Sequence, residues 1–158
     1  MPSVLFVCTA NRFRSPLASA FFRGALSAPA RTGWTIESAG TWTIDGLPVL
    51  PEVYMIARKY HLDLARHRSK PVTKSLLSAQ DLVLVMEAGH KEALQNEFPS
   101  VDNRIYLLSQ AAEGRIYDIP DLIVSIESMM EIGENIRELI QTGFGNICDL
   151  ALRLQELR

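Results

Sequence analysis

The chain has 158 residues, 47% of them hydrophobic and 22% charged; these proportions fit one globular domain of roughly 100–200 residues, read as spanning 1–158, and argue against a disordered chain. Sixteen basic and eighteen acidic side chains leave a formal net charge of −2, which argues against a bulk electrostatic grip on nucleic acid while allowing a local basic site. Two cysteines, Cys8 and Cys148, make no disulfide scaffold, no apolar run reaches the roughly 18 residues of a membrane span, and the N-terminus does not resemble a leader, so a cytoplasmic setting without membrane contact is the expectation.

Strands and helices alternate along the sequence. Ser3 to Val7 is short, apolar and β-rich and reads as a buried strand. Cys8 to Arg14 is a short loop. Ser15-Pro16 then opens a helix, Ser15 as a candidate N-cap and Pro16 in the first turn. Trp34 to Ser38 reads as a second strand that Ala39-Gly40-Thr41 ends. Glu52 to Tyr60 is predicted helical, Asp81 to Met86 is the clearest strand, Gly89 to Glu97 is helical, and Arg104 to Leu108 is a fourth strand. A loop is expected from Ser109 to about Leu122. Beyond it Ile126, Met129, Met130, Gly133, Ile136 and Ile140 keep a 3–4 spacing, as do Ile147, Cys148, Ala151 and Leu154, with Gly143 and Gly145 marking a break or kink between the two stretches. The pattern predicts an α/β layered fold with a parallel sheet, whose ligands bind at the carboxyl ends of the strands.

The loop after the first strand is therefore the place to look for chemistry. It spells Cys8-Thr9-Ala10-Asn11-Arg12-Phe13-Arg14-Ser15. A short loop between a strand and a helix can turn successive amides inward, and such a nest at a helix N-terminus binds an oxyanion. Arg14 can close the ring with its planar fork. Cys8 at the other end lies in the same positive field, which favours thiolate over thiol. That arrangement suits phosphoryl transfer to sulfur.

The segment VLFVCTANRFRSP resembles the signature of the low-molecular-weight protein tyrosine phosphatases, an apolar strand followed by Cys-x5-Arg-Ser-Pro. Further likenesses run in the same order to about residue 140: Glu37 to Thr41, His67 to Lys70, Asp81 to His90, and Asp118-Ile119-Pro120-Asp121. The resemblance implies a three-layer αβα sandwich of flavodoxin-like type on a four-stranded parallel sheet. It implies that Cys8 attacks phosphorus, that Arg14 and the amides of Thr9, Ala10, Asn11, Arg12, Phe13 and Ser15 hold the phosphoryl oxygens, and that the Ser15 hydroxyl donates to the Cys8 thiolate. Asn11 would adopt a strained backbone conformation, supported by Ser38 and His67. Asp121 would be the general acid and base, with Asp118 as runner-up.

The chain also departs from its relatives. Leu122 stands where they have Pro, leaving the position of the acid less constrained. Ile123 and Val124 replace aromatic residues, so an aromatic cleft wall falls to Trp42 first, or to Phe13 or Tyr117. Phe13 occupies the place of a second cysteine, so oxidised Cys8 is expected to lack a protective disulfide partner; Cys148 reads as structural. Ala10 replaces a common Gly, which requires a backbone angle open to any residue. His61, His67 and His90 form no metal motif, and no cofactor is expected.

The resulting expectation is a metal-independent phosphatase of phosphomonoesters, phosphotyrosine in proteins foremost. Its partners would be a phosphorylated protein or small aryl phosphate, with phosphate-like oxyanions as inhibitors. The oligomeric state is not legible. Protein arginine phosphatase is the nearest alternative, with Thr9 a position to watch; arsenate reductase and a non-catalytic phosphate-binding module follow.

Overall fold

Strand β1 (Ser3–Cys8) is buried at all six positions. A strand at the centre of a parallel sheet is covered on both faces, which is why it is encoded by an unbroken apolar run. It pairs in parallel with β2 (Thr35–Gly40) on one side and with β3 (Leu82–Val85) on the other. β4 (Ile105–Leu107) joins β3, again in parallel, giving the order β2-β1-β3-β4. The computed structural model describes residues 1–27, 32–121 and 123–158.

Alternation along the strands divides the core in two. Val4, Phe6 and Cys8 of β1 share one apolar cluster with Leu82 and Leu84 of β3. Residues of α1 (Arg14–Ala25), α2 (Val53–Lys59) and α6 (Ile126–Glu156) complete it. Leu5 and Val7 face the opposite way, against Leu77 of α3 (Lys74–Ser78) and Leu94 of α4 (Ala88–Glu97). A 3₁₀ turn over Pro99–Arg104 supplies Val101 to the same cluster. The result is the expected three-layer, flavodoxin-like αβα sandwich. Chain direction away from the centre reverses between β1 and β3, so the loop after β1 lies at the switch point of the sheet. Among the described residues no helix is long and apolar enough to cross a membrane.

Several local expectations are corrected. The segment expected to be loop from Ser109 begins with α5 (Leu108–Glu113), which ends at Gly114 in the left-handed region with φ 73°. Its run of helix formers before Gly is a legible helix-and-stop signal. The short α3 is capped by Thr73, whose hydroxyl accepts the Leu76 amide at 3.0 Å. β2 runs two residues beyond Ser38. Helix α1 starts at Arg14, so Ser15 lies inside its first turn and Phe13 takes the cap position.

The expected break at Gly143 and Gly145 is absent: α6 is one helix of 31 residues. Gly143 serves a close approach instead. A Cβ there would stand 2.4 Å from the Cβ of Ala112 in α5 and 2.5 Å from its Cα. A Cβ on Gly145 would meet nothing within 4 Å. Opposite outcomes follow for the same substitution two residues apart. Gly143→Ala is expected to lower stability by about 1–3 kcal/mol through overpacking, whereas Gly145→Ala raises it by roughly 0.5–1 kcal/mol through helix propensity. Urea unfolding of the two variants measures both signs.

Candidate functional site

The β1–β2 ladder continues into the loop. Thr41 N–H donates to the Cys8 carbonyl at 2.9 Å and Trp42 N–H to the Thr9 carbonyl at 3.0 Å. This draws the loop against Gly40, where a Cβ would lie 2.5 Å from the Thr9 carbonyl oxygen. Only glycine leaves room for that approach.

Asn11 is the bend of the loop. Its φ of 58° lies in the left-handed region, which Asn adopts at less cost than most residues. The side chain is fully buried and bonded at both ends. Nδ2 donates to Ser15 Oγ at 2.9 Å and to Ser38 Oγ at 3.0 Å, and Oδ1 accepts the Lys70 amide at 3.1 Å. The Asn11 carbonyl accepts from His67 Nε2 at 2.7 Å. Because a carbonyl only accepts, the His67 proton resides on Nε2. Asn11 and His61 are the only non-glycine residues with positive φ among those described, so Ala10 needs no glycine-specific angle.

Cys8 Sγ stands 2.9 Å from Ser15 Oγ. That oxygen already accepts from Asn11, and the Ala39 carbonyl lies farther off at 3.5 Å. A thiolate at Cys8 only accepts, so with sulfur in that form the Ser15 proton turns to it and stabilises its negative charge.

Arg14 is 2% exposed. A guanidinium at such a depth needs both charge compensation and hydrogen-bond acceptors. Nη1 donates to Glu87 Oε2 and to the Ile119 carbonyl, each at 2.7 Å. Nη2 points to Thr9 Oγ1 at 3.5 Å and lies 3.9 Å from Asp121 Oδ2. The two candidate acids are thus distinguished. Asp118 Oδ1 accepts the Ala88 amide at 2.8 Å, at the N-terminus of α4. Asp121 is 45% exposed, and its nearest charged neighbour among the described residues is Arg14. Leu122, the departure from Pro, lies outside the described residues.

The aromatic candidates separate in the same way. Trp42 is 84% exposed on the turn after β2. Phe13 is buried in the core, which corrects its candidacy as a cleft wall: its ring lies in packed hydrocarbon. The Tyr117 phenol is pushed up to about 12 by burial and by its hydrogen bond to Glu113. Arg12 is half-buried and donates from Nε to the Pro48 carbonyl at 2.8 Å, with no carboxylate partner among the described residues.

Two residues of this region escape sequence reading. Glu87 holds Arg14, and His90 Nε2 lies 2.8 Å from Thr9 Oγ1. The available signal was position: both follow β3, whose carboxyl end lies beside that of β1.

Residues 3–151 match the family model described as low molecular weight phosphotyrosine protein phosphatase. The chain is 30% identical over 141 residues to the probable low molecular weight protein-tyrosine-phosphatase EpsP of Ralstonia nicotianae, covering 89% of this chain and 90% of that one. It is 29% identical over 141 residues to the protein-arginine-phosphatase of Bacillus subtilis, covering 87% and 91%. Among solved structures it resembles the tyrosine phosphatase Wzb from Escherichia coli K30 in complex with sulphate, with a TM-score of 0.78, 26% identity, and coverage of 88% of this chain and 93% of that one.

The two site histidines give the fold a pH dependence. Burial holds the His67 imidazole below its ordinary value of 6.5, with Arg23, Arg68 and Lys70 reinforcing the effect and the bond to Asn11 opposing it. Burial also lowers His90, aided by Arg14 and opposed by Glu87, Asp118 and Asp121. Between the ordinary value and the lowered folded values the unfolded chain binds more protons, so stability falls as pH drops through that window and levels off below it. The urea midpoint is expected to decrease as pH falls through the ordinary histidine value of 6.5 and below it, and His67→Gln, which cannot titrate, is expected to shrink that decrease.

Proposed function

The chain belongs to the low molecular weight phosphotyrosine protein phosphatase family, and from that premise we propose that it hydrolyses phosphomonoesters, phosphotyrosine in proteins foremost, through a phosphocysteine intermediate. The observation that carries this reading is the pairing at the two ends of the loop: Ser15 hydrogen-bonded to Cys8 at 2.9 Å, and Arg14 held at depth by Glu87.

In the first step the Cys8 thiolate attacks phosphorus. An S–P bond forms, the P–O bond to the leaving group breaks, and protonated Asp121 gives its proton to the leaving oxygen. Arg14 and the loop amides balance the charge on the three equatorial oxygens. In the second step Asp121 takes a proton from water as its oxygen attacks phosphorus. The P–S bond breaks, inorganic phosphate departs, and sulfur leaves as the thiolate that the Ser15 proton stabilises. The binding of Asp118 to the α4 amide supports Asp121 as the acid. Because a guanidinium and amides carry the phosphoryl charge, the scheme calls for no metal.

Relatives of similar identity divide between tyrosine and arginine phosphatases. Two features support the aryl substrate. Trp42 offers an exposed ring beside the loop, and Arg12 presents a guanidinium uncompensated by any described carboxylate. A phosphoarginine leaving group departs as a second guanidinium, which a fixed cation nearby disfavours. Arsenate reduction is not supported, since Cys148 is buried within α6 and Phe13 supplies no thiol.

An aryl phosphate assayed with chelator tests the scheme. Turnover is expected to persist with chelator and vanish in Cys8→Ser. Asp121→Asn is expected to lower kcat by roughly 10²–10⁴-fold, most severely for poor leaving groups; unchanged turnover in that variant would remove Asp121 from the role. Phosphotyrosine and phosphoarginine peptides then rank the substrates, and Arg12→Gln is expected to raise the phosphoarginine share. Phosphate binding without turnover would make the protein a binding module instead.

A further inference from the structure

The phosphatase scheme leaves His90 unused, although it is buried and bonded to the first residue after the nucleophile. Its two ring nitrogens have different partners. The Glu87 amide lies 3.1 Å from Nδ1. An amide only donates, so Nδ1 accepts and the ring proton resides on Nε2. Nε2–H then donates to Thr9 Oγ1 at 2.8 Å. Burial and the neighbouring Arg14 favour this neutral form, against the pull of Glu87, Asp118 and Asp121.

The consequence falls on Thr9. Its oxygen accepts from His90 on one side and faces Arg14 Nη2 at 3.5 Å on the other. A hydroxyl has two acceptor sites and one proton. With both acceptor sites addressed by donors, the proton must point away from them, and no described residue accepts it. Thr9 follows Cys8 directly, and the Arg14 nitrogen that approaches it is the one not tied to Glu87 or Ile119. An oxyanion held by that nitrogen would meet the Thr9 proton.

We propose that His90 is a positioning residue that turns the Thr9 hydroxyl into a donor to the bound phosphoryl group. Glu87 makes the arrangement a unit. Its carboxylate holds Arg14 at 2.7 Å, its amide orients His90, and its Oε2 lies 3.6 Å from His90 Nε2. One residue at the start of α4 thereby aligns two donors, the guanidinium directly and the hydroxyl through the imidazole.

The inference rests on the phosphatase reading, and a variant cycle separates the two. Thr9→Val keeps the shape and removes the hydroxyl. It is expected to lower kcat/KM for an aryl phosphate about tenfold and to raise the inhibition constant of inorganic phosphate by a similar factor. Thr9→Ser, which restores a hydroxyl, recovers most of the loss. His90→Phe is expected to match Thr9→Val alone and to add less than about twofold on top of it. A merely structural histidine would lower activity equally in both backgrounds, and that additivity would overturn the proposal. So would full activity and unchanged phosphate inhibition in Thr9→Val, a result that stands even if the His90 variant fails to fold. Cys8→Ser run in parallel tests the underlying reading: if its turnover is lost while Thr9→Val is unaffected, the His90–Thr9 proposal alone falls, and if its turnover survives, the phosphocysteine scheme falls with it.

Discussion

The left-handed turn at Asn11 governs the loop, and the loop governs the site. A non-glycine residue at φ 58° costs about 1–2 kcal/mol, even though Asn bears this better than most. Four hydrogen bonds offset that cost, two from its amide nitrogen, one to its amide oxygen and one to its carbonyl. At about 0.5–1.5 kcal/mol each, their sum exceeds the strain. Their origins matter more than their sum. They come from α1, β2 and the segment around His67 and Lys70, so three separate parts of the chain must be in place before the bend is stable. The Ser15 oxygen is thereby fixed in position, 2.9 Å from the Asn11 amide nitrogen and 2.9 Å from the Cys8 sulfur.

Charge at the other end follows a related logic. Arg14 is nearly inaccessible and would be severely destabilising alone. Glu87 neutralises it through one nitrogen and the Ile119 carbonyl shares that nitrogen, while the second nitrogen has only distant neighbours. The guanidinium is thus anchored on one side and available on the other. The anchor comes from the carboxyl end of β3 and the availability faces the loop after β1, adjacent strands at the point where the sheet changes direction.

Much of this was legible in the sequence, and the exceptions have physical reasons. β1 and β3 are central strands of a parallel sheet, so their apolar runs are unbroken and stand out. The Cys8-to-Arg14 spacing is local and carries its own geometric meaning. Glu87 and His90 were not legible as site residues because their role arises from pairing between β1 and β3, across more than 70 positions of chain. Gly143 misled for the opposite reason. Glycine reads as a helix breaker from local propensity, whereas its actual role is set by contact with Ala112 in another helix. Phe13 likewise looked like a cleft residue by its neighbours in sequence, yet its ring turns into the core.

Cys8 belongs both to the reactive loop and to the apolar face that carries Val4 and Phe6. Strand side chains alternate strictly between faces, so the core acts as a ruler for the sulfur. A one-residue insertion or deletion within β1 would not merely displace the nucleophile by a few ångströms; with the core residues kept in place, it would send the thiol to the opposite layer, beneath α3 and α4. The spacing of buried hydrocarbon along this strand is therefore under the same constraint as the reaction itself.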